Sequence, residues 1–339
     1  MLLKRLTEAC GGPGQEGEVR DLIRSEVSDI VDEIKTDALG NLITLKKGAN
    51  LGPKVMLAAH MDEVALMIVS IEKNGLLKFR SVGGIDPRVL VAKSVVVGSK
   101  RVPGVLGSKP IHLQKPGERN KPLSLDELFI DIGTKKQEEA ESQVSLGDYA
   151  YFTTEFSELG TDKYKGKAFD DRVGCALLID ALKDTYTYPL YGVFTVQEEV
   201  GLRGASVAGY SVNPDVALIL EGTTASDVTG IPKHKHATTV GQGPSLTFMD
   251  SAAIPDPKLV AKLIKLGELY DIPVQLRRNT AGGTDAGKIQ ASRDGVSVAV
   301  LAIPCRYIHS PVSLMSKKDY DNALRLVKAF LKTLEESEV

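Results

Sequence analysis

The sequence predicts an α/β protein: a mixed central sheet flanked by helices and interrupted by a small β-rich module. Three observations carry this. From residue 170 onward, apolar strand-like runs alternate with helical periodicity, the pattern of a largely parallel or mixed sheet with helices on both faces. From about residue 64 to 161 the texture changes to short Val-, Leu- and Gly-rich runs, which read as a small barrel or sandwich. Strand-like runs also precede that stretch, so the module is an insertion within a larger domain.

Residues 2–31 have helical periodicity, broken at Gly11-Gly12-Pro13-Gly14 into two helices. Segments 41–46 and 54–59 follow as strands. Inside the module, Lys73-Asn74-Gly75 and Val102-Pro103-Gly104 are hairpin signals, and one acidic helix is expected near 135–144. Beyond it the pattern predicts a helix over 171–183, strands over 190–197 and 215–220, a helix over 257–270, a strand over 296–303 and a closing helix near 317–335. The expected division is therefore 1–64 and 164–339 for the two parts of the α/β domain, with 65–163 as the insert.

Composition narrows the partners. The formal net charge of −2 gives no electrostatic case for nucleic acid or an anionic membrane. No run approaches the roughly 20 apolar residues of a membrane span, and the first residues carry charges where a signal peptide needs its apolar region. Cys10, Cys175 and Cys305 are widely spaced without a C-x-x-C pair, which argues against a disulfide framework and for a reducing cytoplasm.

Chemistry gathers at the ends of the apolar runs. His60-Met61-Asp62-Glu63 follows the run ending at Ala59, Glu198-Glu199 follows Val193–Gln197, and Glu221 follows Leu218-Ile219-Leu220. Ligands collect outside the carboxyl ends of the strands in open α/β sheets. Alone, each signal is modest. In His60-x-Asp62 the acid could fix the imidazole tautomer, but a strand-capping His reads as well. Asp170-Asp171 could place a bridging carboxylate at the sheet edge, yet it also reads as a helix N-cap with a first-turn acid. Glu198-Glu199 is more telling, because two acids ending so apolar a run need cationic compensation. One would bind metal while the other takes a proton from the attacking water. His309 lies just beyond a strand and is one of five His. Together the His and carboxylates form the ligand set of a hydrolytic two-metal centre, with zinc or cobalt as the fitting ions.

Six ordered motifs then match one known family. The chain resembles the tetrahedral (TET) aminopeptidases, co-catalytic metallopeptidases of leucyl, glutamyl and lysyl type, some of whose relatives are labelled endoglucanases. The matching segments are His60-Met61-Asp62-Glu63, Ala168-Phe169-Asp170-Asp171-Arg172-Val173-Gly174, Gln197-Glu198-Glu199-Val200-Gly201, Leu220-Glu221-Gly222, Gly282-Gly283-Thr284-Asp285-Ala286 and Arg306-Tyr307-Ile308-His309-Ser310-Pro311. The resemblance implies a zinc-peptidase-like catalytic domain with a PDZ-like dimerisation insert, assembled into a dodecamer of dimers around a chamber. It implies two divalent ions per subunit, Zn²⁺ or Co²⁺, held by His60, Asp170 and Glu221 and by Glu199 and His309, with Asp170 bridging. Glu198 becomes the general base and Asp62 the support of His60. The family pattern often has Asp where this chain has Glu221. A cis bond between Asp170 and Asp171 follows by analogy, and the Thr284-Asp285 segment falls at the active-site wall, although by residue type it reads equally as a turn with an N-cap. His234 and His236 lie in a polar loop, and His236 could line the cleft.

The expected function is removal of N-terminal residues from short peptides. The alternatives are an endoglucanase-type glycoside hydrolase, a deblocking or endo-acting peptidase on the same fold, and a metal-binding protein without catalysis. Against sugar substrates, Trp is absent and aromatic residues make up only 5%.

Overall fold

The computed structural model describes residues 1–49 and 52–335; the last four residues of the second catalytic segment lie outside it. Helices α1 (Leu2–Glu8) and α2 (Gly17–Val27) lead into strands β1 (Glu33–Thr36), β2 (Leu42–Lys46) and β3 (Val55–His60). The insert contributes β4 (Ala65–Ile71), β5 (Leu77–Val82), β6 (Ser94–Val97), β7 (Val102–Ser108), α3 (Pro116–Arg119), β8 (Leu128–Asp131), α4 (Gln137–Glu141) and β9 (Tyr149–Phe152). The chain then returns through β10 (Ser157–Leu159), β11 (Lys163–Gly166), α5 (Phe169–Leu182), β12 (Leu190–Thr195), α6 (Arg203–Val212) and β13 (Val216–Thr224). It closes with β14 (Ser245–Leu246), α7 (Pro257–Leu269), β15 (Gln275–Leu276), α8 (Ala286–Gln290), β16 (Ser297–Arg306), β17 (Ser313–Ser316) and α9 (Lys317–Thr333).

The large sheet is mixed, in the order β1-β2-β12-β3-β13-β16-β17-β11-β10. Its centre, β12-β3-β13-β16, is parallel, so four carboxyl ends emerge along one edge. Strand β3 is buried at every position, as expected of a strand covered on both faces. Leu57 and Ala59 belong to one core, while Met56 and Ala58 belong to the core on the opposite face, the alternation a pleat imposes. Truncating Leu57 to Ala would cost about 2–5 kcal/mol. Helix α5 is buried on nearly all sides, so its amino end is held rigidly at the sheet edge. Helix α7 starts where Asp256 accepts the Lys258 N–H at 2.8 Å, with Pro257 in the first turn, the residue types these positions favour.

Strands β4-β5-β8-β7-β6-β9 close into a barrel with its own apolar core. A buried ion cluster ties the crossing segments together. Glu63, entering the barrel, meets Lys167 at 2.5 Å and Arg172 at 3.3 Å. Arg172 also donates to the carbonyls of Met61, at 2.8 Å, and Leu6.

Three expectations are corrected. The hairpin joining β6 and β7 turns at Gly98 and Arg101, both with positive φ, while Val102-Pro103-Gly104 lies inside β7, where Pro103 pairs with Val96. Residues 157–163, expected within the insert, form β10 and the start of β11; β10 pairs with β11 and β11 with β17, all in the large sheet. Glu221 lies inside its strand, because β13 continues alongside β16 to Thr224. Among the described residues no helix is long and apolar enough to cross a membrane.

Candidate metal centre and active-site cleft

The parallel edge delivers the acidic and imidazole groups to one cavity of about 620 Å³. His60, at the end of β3, is 1% exposed. Its Nε2 lies 3.2 Å from Asp170 Oδ1, 3.7 Å from Glu221 Oε2 and 3.9 Å from Glu198 Oε2. His309 Nε2 lies 3.4 Å from Asp170 Oδ2 and 3.3 Å from Glu199 Oε1. The two oxygens of Asp170 therefore face different histidines.

The backbone is bent to achieve this. Ala168, Gln197, Tyr307 and His309 all have φ between 52° and 63°, a left-handed state costing of order 1 kcal/mol or more for a residue with a Cβ. Each precedes or carries a group of the site. The Asp170–Asp171 peptide is cis, as the resemblance implied. A Cβ on Gly222 would lie 3.0 Å from the Asp170 Cα, so glycine after Glu221 permits the close approach.

Two neighbours hold the cluster from behind. Asp171 accepts the His60 N–H at 3.2 Å and the Gly174 N–H at 2.9 Å, fixing the main chain at His60. Asp62 accepts the backbone N–H groups of Glu198 and Glu199, both at 3.0 Å. His60 Nδ1 is satisfied by the Asp62 main-chain carbonyl at 3.0 Å rather than by the side-chain oxygen, 3.6 Å away. The Asp62 carboxylate thus lies within ion-pair distance of His60 and also orients the Glu pair.

Protonation follows from crowding. Burial and neighbouring acids push Glu198 and Glu221 well above the usual carboxylate range. Burial, with Asp170 adding and His309 opposing, raises Glu199 to about 7. Burial opposes charge on the imidazoles, but the surrounding carboxylates outweigh it. His60 is raised well above its ordinary value and His309 to about 9. For Asp170 burial acts upward, yet the His309 and His60 hydrogen bonds win and hold it below the usual range. Acidic crowding thus raises the proton affinity of both imidazoles.

Metal fits this donor set. Buried Glu199 Oε1 and Glu221 Oε1 make no hydrogen bond, an expensive state unless something cationic meets them. Ligand atoms of Asp170, Glu199 and His309 lie within 4.8 Å of one another, as do those of His60, Asp171 and Glu221. Since both Asp171 oxygens already accept backbone N–H groups, Asp170 is the freer of the adjacent acids.

Residues 40–326 match the model of the M42 glutamyl aminopeptidase family. The chain belongs to this family. It is 35% identical to a lysyl aminopeptidase of Pyrococcus furiosus over 98% of this chain and 96% of that one. A TET aminopeptidase from a marine-sediment thaumarchaeon is 41% identical, with a TM-score of 0.95 over 98% of this chain and 96% of that one. A Pyrococcus horikoshii TET1 peptidase, which assembles into a tetrahedron or an octahedral shell, is 33% identical, with a TM-score of 0.85 over 97% of each chain. This M42 aminopeptidase is accordingly a hydrolase of peptide bonds, of a metal-dependent family.

Three further expectations separate in the M42 chain. Thr284 lines the cleft and donates to Asp250 at 2.9 Å. Asp285 does not reach it: it is 1% exposed, accepts the Thr195 hydroxyl and is raised to about 6 by burial. His236 is half-buried and not among the residues lining the cleft, its Nε2 3.0 Å from the Ile231 carbonyl oxygen, because the loop turns back on itself. Sequence reading missed Asp171 as an anchor and missed Arg277 and Thr247, which line the cavity. The strand signals that could have located the last two span only two residues each.

Proposed function

We propose that this chain is a dinuclear metal-dependent aminopeptidase that removes single residues from the amino ends of short peptides. The observation that carries the reading is Asp170, whose Oδ1 and Oδ2 lie 3.2 Å from His60 Nε2 and 3.4 Å from His309 Nε2. His60, Asp170 and Glu221 would hold one divalent ion, and Asp170, Glu199 and His309 a second, Zn²⁺ or Co²⁺ by donor type. The chemistry such ions supply is Lewis acidity toward the scissile carbonyl and toward water.

Glu198 has no ligand duty in this scheme. Its carboxylate takes a proton from the attacking water as the oxygen–carbon bond forms, then gives it to the amine as the carbon–nitrogen bond breaks. Its elevated proton affinity suits both transfers. The acidic surplus favours a free α-ammonium over an internal amide. Among the described residues no Trp, Tyr or Phe lines the cavity, which favours peptides over sugars, since sugar rings want aromatic platforms.

The barrel serves self-association, up to a dodecamer of dimers enclosing the active sites; sedimentation tests this, and a monomer at every concentration rules it out. The three free thiols suit a cytoplasmic setting. The deciding assay compares a short peptide with its N-acetylated twin, with and without chelator, reading products by mass. Stepwise, chelator-sensitive trimming of the free peptide alone supports the reading. Equal cleavage of both, internal cuts, or activity only on cellulosic substrate overturns it.

A further inference from the structure

Glu198 and Glu199 ride on a short loop, residues 196–204, that leaves β12 and returns into α6. The loop closes on itself: the N–H groups of Gly204, Arg203 and Leu202 donate to the carbonyls of Val196, Gln197 and Glu198 at 3.0, 3.2 and 2.9 Å. At its neck, two main-chain groups meet one side chain from another part of the fold. Asn41, in the turn between β1 and β2, accepts the Val196 N–H on Oδ1 and donates from Nδ2 to the Gly204 carbonyl, both at 3.0 Å. Asn41 is 0% exposed and is not among the residues lining the cavity, so it meets no substrate.

The neck fits this amide closely. A Cβ on Gly204 would overlap both Asn41 Oδ1 and the Val196 carbonyl oxygen, so glycine is what lets the two stems close on Asn41. Asp37 fixes which way the amide points. Its Oδ2, an acceptor only, takes Nδ2 at 2.7 Å and leaves Oδ1 for the Val196 N–H. Its Oδ1 is itself held by the N–H groups of Leu39, Gly40 and Asn41.

Asn41 also completes a series. The N–H of Gln197 donates to Glu16 Oε1 at 3.2 Å, and those of Glu198 and Glu199 to Asp62. Four successive N–H groups, 196–199, are therefore each taken by a side-chain oxygen from a distant segment. The chain needs such restraint there, because Gln197 is held at φ 56°, a left-handed state that persists only when its surroundings impose it. Glu16 and Asp62 hold single residues of one stem, whereas Asn41 grips both stems and fixes how the loop leaves the sheet. Building on the reading of Glu198 as the proton acceptor, we propose that Asn41 is a positioning residue for the hydrolysis, acting through the 196–204 loop to aim the Glu198 carboxylate.

The test measures kcat and KM of the metal-loaded enzyme on a short free-amine peptide, with Asn41→Ala made in the parent and in a Glu198→Gln background. Groups that orient an active site from behind are worth roughly 10–100-fold. The expected result is a kcat lowered by about that factor in the parent, with KM changed by less than about threefold. In the Glu198→Gln background the same change should cost less than about threefold, because the group it aims is already gone. Asp37→Asn, which turns a donor toward Asn41 Nδ2, should lower kcat by about three- to tenfold in the parent alone; it carries the test if circular dichroism shows Asn41→Ala unfolded. An equal loss in both backgrounds, as a purely structural role gives, overturns the assignment, and so does an unchanged kcat in the parent background. Both outcomes leave the aminopeptidase reading intact. A Glu198→Gln enzyme as fast as the parent removes the reading of Glu198 and this inference together.

Discussion

The carboxylate of Asp62 accepts the backbone N–H of Glu198 at 3.0 Å. Its other oxygen takes the N–H of Glu199 at the same distance, so one buried acid sets the position of both glutamates. Groups that orient a metal site from behind are worth roughly 10–100-fold in affinity or activity. Asp62→Ala should therefore lower kcat/KM by about that factor with secondary structure retained. Kinetics beside circular dichroism check it, and unchanged kinetics would show that the strand end positions the pair unaided.

Glu63 compensates two buried cations, Lys167 and Arg172. Removing one partner of such a group leaves the rest uncompensated, at a cost of about 3–5 kcal/mol. Glu63→Ala should lower the denaturant midpoint by the corresponding amount. A shift equivalent to less than about 1 kcal/mol would mean that the carbonyls of Leu6, Ala9 and Met61 suffice for both cations.

Asp170→Ala should deplete both ions, because its two oxygens face the two histidines separately. Elemental analysis of the purified variant is expected to find less metal per subunit, with activity near background. Two tightly retained ions would assign the bridge elsewhere, with Asp171 the first candidate.

Metal affinity should rise with pH. In the metal-free protein His309 keeps its proton up to about 9 and Glu199 up to about 7, both above their ordinary values. An entering ion must displace those protons, so binding is weaker at pH 6 than at pH 8 and levels off above about 9. Calorimetry of zinc or cobalt binding in buffers of different ionisation enthalpy measures the release. Affinity independent of pH from 6 to 8 contradicts the protonated histidines.

What the sequence made legible was local. The run ending at Ala59 announces a buried strand, and an acid or imidazole straight after such a run must lie at the sheet edge. That logic brought His60, Glu198 and Glu221 together before any coordinates. It failed where partners are distant or short. Strands β10, β11 and β17 are brief and partly polar, and only their mutual pairing makes them sheet. Gly98 and Arg101 hold the β6–β7 turn, whereas Pro103, of a turn-favouring type, lies inside β7 opposite Val96. The Thr284-Asp285 segment follows two glycines and is expected at the active-site wall, but the hydroxyl of Thr195, ninety residues from Asp285, holds that acid inside. The further contacts of Asp62 were illegible for a related reason: its side chain also serves a neighbouring strand end, which pattern reading does not place.

Glu198 tests the account most directly. Its carboxylate is the acid of the cluster given no ligand role, so Glu198→Gln removes a proton acceptor and leaves the donor set whole. Metal content and kcat should be measured on the same preparation, using a free-amine peptide. The account predicts two ions per subunit, as in the parent enzyme, and a kcat lowered by about 10²–10⁴-fold. Loss of metal from the variant, or a kcat near that of the parent, would contradict it.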